Sequence, residues 1–420
     1  MTVDTLCVIG LGYIGLPTAA LFASRKINVI GVDTNSSVVN TINSGKAHFI
    51  EPELDTAVHD TVSRGYLRAT TEIELADAYI IAVPTPVKDN HAADLSFVKD
   101  AVMTLAPVLR VGNLVILEST CPVGTTLEVA LWLAQARPDL RFPSDDDDAE
   151  EFDVFIAHCP ERVLPGRAMR ELVSNDRVVG GISKSCARNA KELYEHIIEG
   201  ECVLTDARTA EMAKLTENAF RDVNIAFANE LSMICNHLDI NVWELIRLAN
   251  RHPRVDILKP GPGVGGHCIA VDPWYIVHSA PHLSNLISTA RTVNNDKPNH
   301  IISDIKRAAA KHQDAVIACL GLSFKANVDD LRESPALKIV SELLETTENT
   351  VVVCEPNLTG IPVSLSRYKN LKWVTQPMDA VRQADVVAAL VKHKQFEDVK
   401  LTSISNKNVI DACGLWGDKN

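Results

Sequence analysis

The feature that most constrains the fold is a glycine-rich turn close to the N-terminus. A short apolar run, Thr5 to Ile9, leads into Gly10-Leu11-Gly12-Tyr13-Ile14-Gly15, and a helical run from Leu16 to Arg25 follows. A second apolar run, Val29 to Val32, ends in Asp33. Glycines at this spacing allow a tight turn and let a pyrophosphate approach the backbone at a helix N-terminus. The succession of strand, turn, helix, strand and acid predicts a dinucleotide-binding βαβ unit.

Asp33 decides which dinucleotide this unit should bind. Its carboxylate can accept hydrogen bonds from the adenosine ribose hydroxyls, whereas it would repel the 2′-phosphate of NADP. The sequence therefore predicts NAD, contacted by Asp33 and by the turn residues Gly10, Gly12, Tyr13, Ile14 and Gly15. The alternative is a purely structural glycine turn in which Asp33 caps a helix.

Further apolar runs predict that this unit extends into a parallel, doubly wound sheet. They cover 78–83 and 114–117 and alternate with helical stretches. Thr85 and Thr126 follow the carboxyl ends of these two runs, where ligands bind in such sheets. Both are candidate cofactor contacts, with a simple turn or cap role as the alternative. A third run, 154–157, leads to Glu161 and Arg162, which are therefore expected to face the same cleft.

A long helical pattern begins at about Thr209 and continues past Ile246. Lys214, Asn218 and Arg221 are spaced i, i+4 and i+7, so their side chains project from one face of the helix. Such a row forms either a solvated face or, in an apolar helix, a surface that meets a polar ligand.

A second glycine-rich segment surrounds a cysteine. It reads Gly261-Pro262-Gly263-Val264-Gly265-Gly266-His267-Cys268, and Asp272 follows closely. Glycines let the backbone take turns that a side chain would forbid and approach a ligand, which would expose the thiol. A surface loop that happens to contain a cysteine is the alternative.

The C-terminal part repeats the alternation of strands and helices. Apolar runs are found at 315–320, 350–354, 384–390 and 408–410. They predict a second nucleotide-type parallel sheet, but without the full glycine fingerprint, so we expect no second NAD there. The resulting division is an NAD-binding domain over 1–205, a helical middle domain over 206–302 and a third domain over 303–420.

Composition narrows the functional class. A formal net charge of −13 over 420 residues argues against nucleic acid or an anionic membrane as the main partner. No apolar run reaches the roughly 18 residues needed to span a bilayer, and no basic leader precedes Leu6, so we expect a cytoplasmic protein.

The ten cysteines lack paired spacing and are expected to be reduced. The acidic run Asp145–Asp148 is interpreted as a solvated loop, and no metal site is predicted.

The motifs taken in order resemble the UDP-glucose and UDP-N-acetylmannosamine dehydrogenases over essentially the whole chain. They are G-x-G-x-x-G, P-T-P, E-S-T, P-E-R, A-E-x-x-K-x-x-x-N, G-x-G-G-x-C-x-x-x-D, and F-K with R-E-S-P. The resemblance implies two Rossmann-like sheets joined by a helical domain. It also implies NAD-dependent, four-electron oxidation of a sugar C6 alcohol to a carboxylate.

The resemblance also implies roles for particular residues. Cys268 would attack the intermediate aldehyde to form a thiohemiacetal that is then oxidised to a thioester, and a nearby cation such as Lys214 would favour its thiolate. Lys214 would act as general acid or base and, with Asn218, would stabilise negative charge on oxygen. Asp272 and Glu161 are both candidates for activating water, and the sequence does not rank them.

Substrate contacts follow from the same resemblance. UDP carries two phosphates, for which Arg and Lys are suited. The expected contacts are Arg162, Val163, Lys214, Asn218, Arg221, His252, Arg254, Gly265, Phe324 and Lys325. Arg332 is expected to contact the cofactor instead.

Two segments bear on the sugar. Asn250-Arg251-His252-Pro253-Arg254 and His267 before the cysteine are most like the N-acetylmannosamine branch, which makes UDP-N-acetyl-D-mannosamine the expected substrate and a polysaccharide precursor the expected product. UDP-N-acetylglucosamine and UDP-glucose remain alternatives, as do a two-electron β-hydroxyacid dehydrogenase and an NAD-binding scaffold without activity. The long helix of the middle domain predicts a homodimer, with Arg254 as a candidate contact to the neighbouring subunit's site.

Overall fold

The computed structural model describes residues 3–88, 90–144, 152–164, 166–266 and 268–417. The acidic run Asp145–Asp148 and His267, both interpreted above from sequence, lie outside the described residues. By density of internal contacts, the chain divides into two compact units. The first unit comprises Met1–Glu217 and Trp274–Ser279, and the second comprises Asn218–Pro273 and Ala280–Asn420.

The first unit contains an eight-stranded sheet. Its strands are β1 Thr5–Ile9, β2 Asn28–Val32, β3 Leu67–Thr70, β4 Ala78–Ile81, β5 Asn113–Leu117, β6 Val154–His158, β7 Arg177–Gly181 and β8 Cys202–Asp206. They are arranged in the order β3-β2-β1-β4-β5-β6-β7-β8. Strands β3 through β6 pair in parallel, β7 is antiparallel to β6, and β8 is parallel to β7. The predicted parallel sheet is confirmed, and the reversed pair at its edge was not predicted.

Helices alternate with these strands. They are α1 Gly15–Ser24, α2 Ser36–Asn43, α3 Leu54–Ser63, α4 Ser96–Leu105, α5 Thr125–Ala136, α6 Ala168–Ser174 and α7 Lys184–Tyr194. Strands β4 and β5 are buried at every position because helices cover both faces of the sheet. Two apolar clusters, one on each face, form the core of the unit.

The long helical pattern is interrupted, contrary to the sequence prediction. Helix α8, Ala207–His237, ends before Asp239, which has a φ of 55°, and α9 runs from Val242 to Ala249. The Asn241 side chain accepts hydrogen bonds from the backbone N–H groups of Trp243 and Glu244 and caps α9. The predicted single helix past Ile246 is therefore wrong, because a left-handed residue and an N-cap start a new helix there.

The remaining helices are α10 Asp272–Ser279, α11 Asn285–Ala309, α12 Pro335–Thr346, α13 Pro377–Gln383 and α14 Leu401–Ile404. The second unit holds a five-stranded sheet of β9 Val316–Leu320, β10 Thr350–Cys354, β11 Leu371–Val374, β12 Val386–Ala389 and β13 Asn408–Asp411. Its order is β11-β10-β9-β12-β13, and every pairing is parallel. The second predicted parallel sheet and the helical region before it are thus confirmed.

Within the described ranges, no helix combines the length and the apolar character needed to cross a membrane. The boundaries of the three predicted domains and the cytoplasmic location remain predictions.

Candidate active site

The glycine-rich turn joins β1 to α1 in a geometry that glycine alone allows. Gly10 has a φ of +92°, and a Cβ placed on it would lie 2.7 Å from the backbone oxygen of Ala82. A Cβ on Gly15 would lie 1.8 Å from the backbone oxygen of Gly10. Around Gly12, by contrast, no described atom lies within 4 Å of such a Cβ. Gly10 and Gly15 close the turn, and Gly12 leaves backbone open to a ligand, which fits the pyrophosphate of a dinucleotide.

Asp33 lies at the carboxyl end of β2, next to this turn. One carboxylate oxygen accepts a hydrogen bond from the Leu11 N–H at 3.1 Å, and the other accepts one from the Asn35 N–H at 2.9 Å. The side chain is half-buried, and each oxygen has a second lone pair for a ribose hydroxyl. Asp33 therefore both supports the turn and fits the predicted adenosine contact.

The two predicted threonines have partners within the protein. The Thr85 hydroxyl donates to the carbonyl of Thr120 at 2.6 Å, and the Thr85 carbonyl accepts a hydrogen bond from the Tyr275 hydroxyl. Thr126 is fully buried, and its hydroxyl donates to a Glu211 carboxylate oxygen at 2.5 Å. Their proposed contacts with the cofactor remain predictions.

Glu211 was not identified from the sequence. Besides the Thr126 hydroxyl, it accepts hydrogen bonds from the backbone N–H groups of Thr126 at 2.7 Å and Gly124 at 2.6 Å, and so caps α5. Potential metal-ligating atoms of Cys121, His158 and Glu211 lie within 4.8 Å of one another in this buried region. The Cys121 thiol lies 3.9 Å from the same carboxylate as a fourth donor, and with four donors in place we assign Glu211 a capping role.

Tyr13 and Ile14 complete the turn. Ile14 immediately precedes α1 and is half-buried. The Tyr13 hydroxyl donates to the carboxylate of Glu51, a buried residue that the sequence reasoning missed. Burial, and then the hydrogen bond to Glu51, raise the pKa of Tyr13.

Glu161, Arg162 and Val163 follow strand β6. The buried Glu161 carboxylate accepts hydrogen bonds from the backbone N–H of Val163 at 2.9 and 2.7 Å. The Arg162 guanidinium forms an ion pair with Glu217 on α8 at 2.6 Å. Arg162 is half-exposed, so this pairing can exchange for a substrate phosphate at small cost.

The cysteine loop brings together three predicted residues, Cys268, Asp272 and Asn218. Cys268 is exposed, whereas eight of the other nine cysteines are buried and Cys413 is half-buried. The Cys268 carbonyl accepts hydrogen bonds from the N–H groups of Val271 and Asp272, at 3.1 and 2.9 Å, which forms the turn into α10. Asp272 is 3% exposed, and its carboxylate accepts a hydrogen bond from the Asn218 amide at 2.5 Å.

The glycines before Cys268 pack against a segment of the second unit. A Cβ on Gly265 would lie 2.4 Å from the Glu333 backbone oxygen, and one on Gly266, which has a φ of +84°, would lie 3.0 Å from the ring of Phe324. The Lys325 ammonium lies 5.7 Å from the centroid of the same ring. The structure thus brings Gly265, Phe324 and Lys325 together beside the cysteine loop.

Arg332 belongs to the same neighbourhood. Its guanidinium pairs with Asp330 at 2.6 Å. The pKa of Arg332 is raised mainly by its hydrogen bonds to Asp330 and, to a smaller extent, by the negative charge of Cys268. Arg332 is therefore a cation close to the predicted nucleophile, and its expected contact with the cofactor remains untested.

The other predicted residues lie on or after the two middle helices. Lys214 is half-buried and Arg221 is exposed on α8. His252 and Arg254 are exposed in the turn after α9, where the Arg254 N–H donates to the His252 ring at 3.3 Å. Their roles as catalytic and substrate-binding residues remain predictions.

Three family models match the chain in succession. They are the NAD binding domain, the central domain and the UDP binding domain of the UDP-glucose/GDP-mannose dehydrogenase family, over residues 4–198, 208–296 and 318–418. The chain belongs to this family. It is accordingly an NAD-dependent UDP-sugar dehydrogenase, as the motifs indicated.

Curated relatives of this dehydrogenase have two different substrate names. This chain is 58% identical to a UDP-N-acetyl-D-mannosamine dehydrogenase of Campylobacter jejuni, over 94% of this chain and 97% of the relative. It is 55% identical to an NDP-N-acetyl-D-galactosaminuronic acid dehydrogenase of Ralstonia nicotianae, over 99% and 97%. A solved UDP-D-ManNAc dehydrogenase from Pyrococcus horikoshii is similar with a TM-score of 0.86 and 38% identity, over 98% of this chain and 96% of that one.

Glu51 and Glu211 are the polar residues near the site that sequence reasoning overlooked. Each lies far along the chain from the backbone groups it binds, 115 residues in the case of Glu51 and Gly166. The sequence offered one signal for Glu211, which stands in the A-E-x-x-K motif three positions before Lys214.

Proposed function

We propose that this dehydrogenase oxidises the C6 alcohol of UDP-N-acetyl-D-mannosamine to the carboxylate, with Cys268 as the covalent nucleophile. The observation that carries the proposal is the cysteine loop. It presents one exposed thiol among ten cysteines, one helical turn before a buried carboxylate that is fixed by Asn218.

In the first oxidation, the substrate hydroxyl gives its proton to Lys214 while a hydride leaves C6, which produces an aldehyde. Bound NAD would supply the hydride acceptor for this step, and a second NAD, bound after the first NADH leaves, would supply it for the second oxidation. Asn218 stabilises the negative charge on oxygen through its amide, which Asp272 holds in position.

In the second stage, the Cys268 thiolate attacks the aldehyde carbon, and the carbonyl oxygen takes up a proton to give a thiohemiacetal. Loss of a second hydride and of the hydroxyl proton gives a thioester. Water then adds to the thioester, the carbon–sulfur bond breaks, and the thiolate is released with the uronate. One alcohol and one water thus become one carboxylate, with two hydrides transferred and three protons released.

Electrostatics around the thiolate support this role. We propose Arg332, which pairs with Asp330, as a second cation beside Lys214 that favours the thiolate. For water activation we favour Asp272, since both of its neighbours in the proposal, Cys268 and Asn218, contact it through hydrogen bonds. Glu161 accepts one bifurcated hydrogen bond from the Val163 N–H, and we assign it the shaping of the substrate loop.

The substrate's phosphates are proposed to contact the predicted cationic set, Arg162, Arg221, His252, Arg254 and Lys325. Val163, Gly265 and Phe324 would line the sugar and uridine. The N-acetylmannosamine assignment rests on His267, the Asn250–Arg254 segment and the Campylobacter relative. The Ralstonia relative makes UDP-N-acetyl-D-galactosamine a necessary comparison.

A substitution at the nucleophile tests the mechanism. In Cys268→Ser, uronate formation should fall by about 1000-fold or more, because the aldehyde is no longer trapped for the second oxidation. Cys413→Ser, at the half-buried cysteine, is the matched control and should retain activity. Full uronate formation by Cys268→Ser would refute the covalent route.

Product analysis tests the substrate. Purified enzyme with NAD is incubated separately with UDP-linked N-acetylmannosamine, N-acetylgalactosamine, N-acetylglucosamine and glucose. We expect two NADH per sugar consumed and the highest kcat/KM with N-acetylmannosamine. One NADH per sugar would indicate a two-electron dehydrogenase, and higher kcat/KM with another sugar would replace the assignment.

We also propose that the enzyme is a homodimer assembled through α8. Phe220, Phe227 and Ile234 lie at seven-residue intervals on this helix and are 70%, 51% and 46% exposed. An evenly spaced apolar stripe on a 31-residue helix can pack against its own copy about a two-fold axis. Light scattering should give twice the chain mass of 45.8 kDa, and Phe227→Glu should give one chain mass, whereas Leu131→Glu on α5 should not change it.

A further inference from the structure

The glycine turn and the loop after β6 meet at one buried carboxylate. We define the PER loop as the described residues 161–164 and 166–168, which begin with the proposed substrate residues Glu161, Arg162 and Val163. Glu51 lies between this loop and the turn, and it is 5% exposed. No other part of the site links the two segments through side-chain hydrogen bonds among the described residues.

Four hydrogen bonds make the link. The Tyr13 hydroxyl donates to Glu51 Oε2. The Gly166 N–H donates to Glu51 Oε2 at 2.8 Å and to the Tyr13 hydroxyl oxygen at 2.9 Å. The Ala168 N–H donates to Glu51 Oε1 at 2.8 Å. The turn that should hold the cofactor and the loop that should hold the substrate therefore share one acceptor.

The charge of Glu51 makes the arrangement interdependent. A buried carboxylate is stable only while its oxygens accept enough hydrogen bonds, and these partners are hydroxyl and backbone groups rather than a cation. Moving Tyr13 away leaves both Glu51 and Gly166 with one bond fewer. Displacement of the glycine turn therefore removes hydrogen bonds from the PER loop, and displacement of the PER loop removes hydrogen bonds from the residues that hold the turn.

Tyr13 is placed to transmit cofactor binding. It lies between Gly12, the open position of the turn, and Gly15, where α1 begins. Its ring also packs on Phe49, with centroids 5.2 Å apart, which limits the ring to one orientation relative to Glu51. A dinucleotide on the turn would hold the backbone of Tyr13, and through Glu51 would order the PER loop.

We propose that Glu51 is a positioning residue that couples the two ligands: NAD on the glycine turn orders the PER loop, and the UDP-sugar consequently binds more tightly to the NAD complex. The sugar half of this statement rests on the proposed function, whereas the ordering of the loop by the cofactor does not. By linkage, the sugar must tighten cofactor binding by the same factor.

Hydrogen exchange measured by mass spectrometry tests the ordering. In the wild type, saturating NADH should slow exchange at least fivefold in peptides that cover 161–168. In Glu51→Gln this protection should be lost, because an amide cannot accept from Gly166 and Ala168 and from Tyr13 as a carboxylate does. Tyr13→Phe, which keeps the bonds from Glu51 to Gly166 and Ala168, should lose part of it without loss of the fold.

The matched control is Glu53→Gln. Glu53 also joins the region before α3 to α6, through an ion pair with Arg170, but at the surface with both side chains at least half exposed. It should keep the full NADH-dependent protection. Equal protection of the PER loop in wild type and Glu51→Gln would overturn the proposal, whatever the substrate is.

Titration calorimetry tests the coupling itself. The affinity for UDP-N-acetyl-D-mannosamine is measured with and without NADH, which cannot accept a hydride and so prevents turnover. We expect about fivefold tighter binding with NADH in the wild type, a factor close to one in Glu51→Gln, and an intermediate factor in Tyr13→Phe.

The outcomes separate three explanations. If Glu51→Gln weakens both ligands and lowers the melting temperature but keeps the wild-type coupling factor, Glu51 is only a cap of α6 and the proposal is wrong. If the wild type neither oxidises nor binds any of the four UDP-sugars, the proposed function fails, and the exchange experiment still decides whether Glu51 couples cofactor to loop.

Discussion

The two parallel sheets of this dehydrogenase have the same strand order around their first strand. The order β3-β2-β1-β4-β5 in the first unit corresponds to β11-β10-β9-β12-β13 in the second. Each first strand leads into a glycine of positive φ, +92° for Gly10 and +97° for Gly321. The N–H of each glycine donates to the last residue of the neighbouring strand, at 2.8 and 2.9 Å.

An acidic residue follows strand β2 in the first sheet and strand β10 in the second, and the two acids have different partners. Asp33 accepts from the Leu11 N–H at 3.1 Å, and Glu355 accepts from the Leu322 N–H at 2.7 Å. Asp33 is half-buried and can accept a ligand, whereas Glu355 is 1% exposed and pairs with His393 at 3.0 Å. The same backbone frame therefore carries an open dinucleotide turn in one unit and a closed structural turn in the other.

The third position of each turn shows the same contrast. Gly12 is exposed, with space for a ligand above it. Its counterpart Ser323 is buried, and its hydroxyl donates to the Lys325 carbonyl at 2.7 Å. The two sheets thus share the topology that positions a nucleotide-binding turn after the first strand. The side chains in and around each turn decide whether a ligand can reach its backbone.

The largest expected effect concerns the closed turn. Glu355→Gln should lower the free energy of unfolding by about 3 kcal/mol, because the neutral amide offers one acceptor oxygen where both carboxylate oxygens accept from His393 and backbone N–H groups. Urea unfolding at pH 7 measures it, with NAD affinity unchanged. Asp33→Asn, the same change at the open turn, should cost far less stability, and equal costs would break the comparison.

The same pair carries a pH dependence. Burial raises the pKa of Glu355. The hydrogen bonds from His393 and from the N–H groups of Leu322 and Asn357 together lower the pKa by more, so the net pKa is below its ordinary value. A carboxyl whose pKa falls on folding stabilises the protein above its unfolded pKa and loses that contribution as pH falls. The deficit of Glu355→Gln should accordingly shrink in the acid range.

The next effect concerns the open turn. Gly12→Ala should weaken NAD binding about 100-fold, since the added methyl occupies the path of the pyrophosphate. It should leave the melting temperature unchanged, because no described atom lies within 4 Å of that methyl. Gly360→Ala, at a position equally open, is the control, and undiminished NAD affinity in Gly12→Ala would place the dinucleotide elsewhere.

A third prediction contrasts the two buried histidines of the sheets. His393 pairs with Glu355, whereas neither ring nitrogen of His158 makes a hydrogen bond of normal geometry within the described residues. Burial lowers the pKa of His158 to about 3, against a smaller opposing effect of the Leu117 backbone.

Between that value and the ordinary pKa near 6.5, the unfolded chain binds the additional proton, so stability must fall as pH falls. From pH 7 to pH 5 the loss is about 2 kcal/mol. Urea unfolding at pH 7 and pH 5 measures this difference in the free energy of unfolding. The difference should disappear in His158→Leu and should remain in His282→Leu, at an exposed position. An equal loss in His158→Leu would contradict the assignment.

The smallest effect concerns cofactor choice. Asp33→Asn should reduce the preference for NAD over NADP about tenfold, because the charge that repels a 2′-phosphate is removed while the bond to Leu11 can persist. Steady-state kinetics with both cofactors measure the ratio. Glu355→Gln should leave it unchanged, and any shift there would mean that the second sheet also contacts the cofactor.

Strands with uninterrupted apolar runs were predictable, whereas β3, β7, β8 and β11 were not predicted. Strands β1, β4, β5, β9 and β10 read directly from the sequence, and their positions are buried almost throughout. Strands β3, β8 and β11 alternate or lie partly exposed, so their composition resembles that of loops. The break between α8 and α9 was missed because it depends on the left-handed backbone of Asp239 and on the side-chain cap at Asn241, neither of which interrupts the apolar pattern.

By itself, the sequence determined the family and the cofactor and predicted the nucleophile, because each depends on residue types at fixed short spacing: glycines around a turn, an acid after a strand, a cysteine after four glycines. Only the tertiary structure decided which acids serve these motifs. Glu51, Glu211 and Glu355 each bind a backbone N–H group distant in sequence, from 32 residues away for Glu355 and Ser323 to 117 for Glu51 and Ala168. A buried carboxylate is selected by donors that folding brings to it, and no local pattern records where those donors come from.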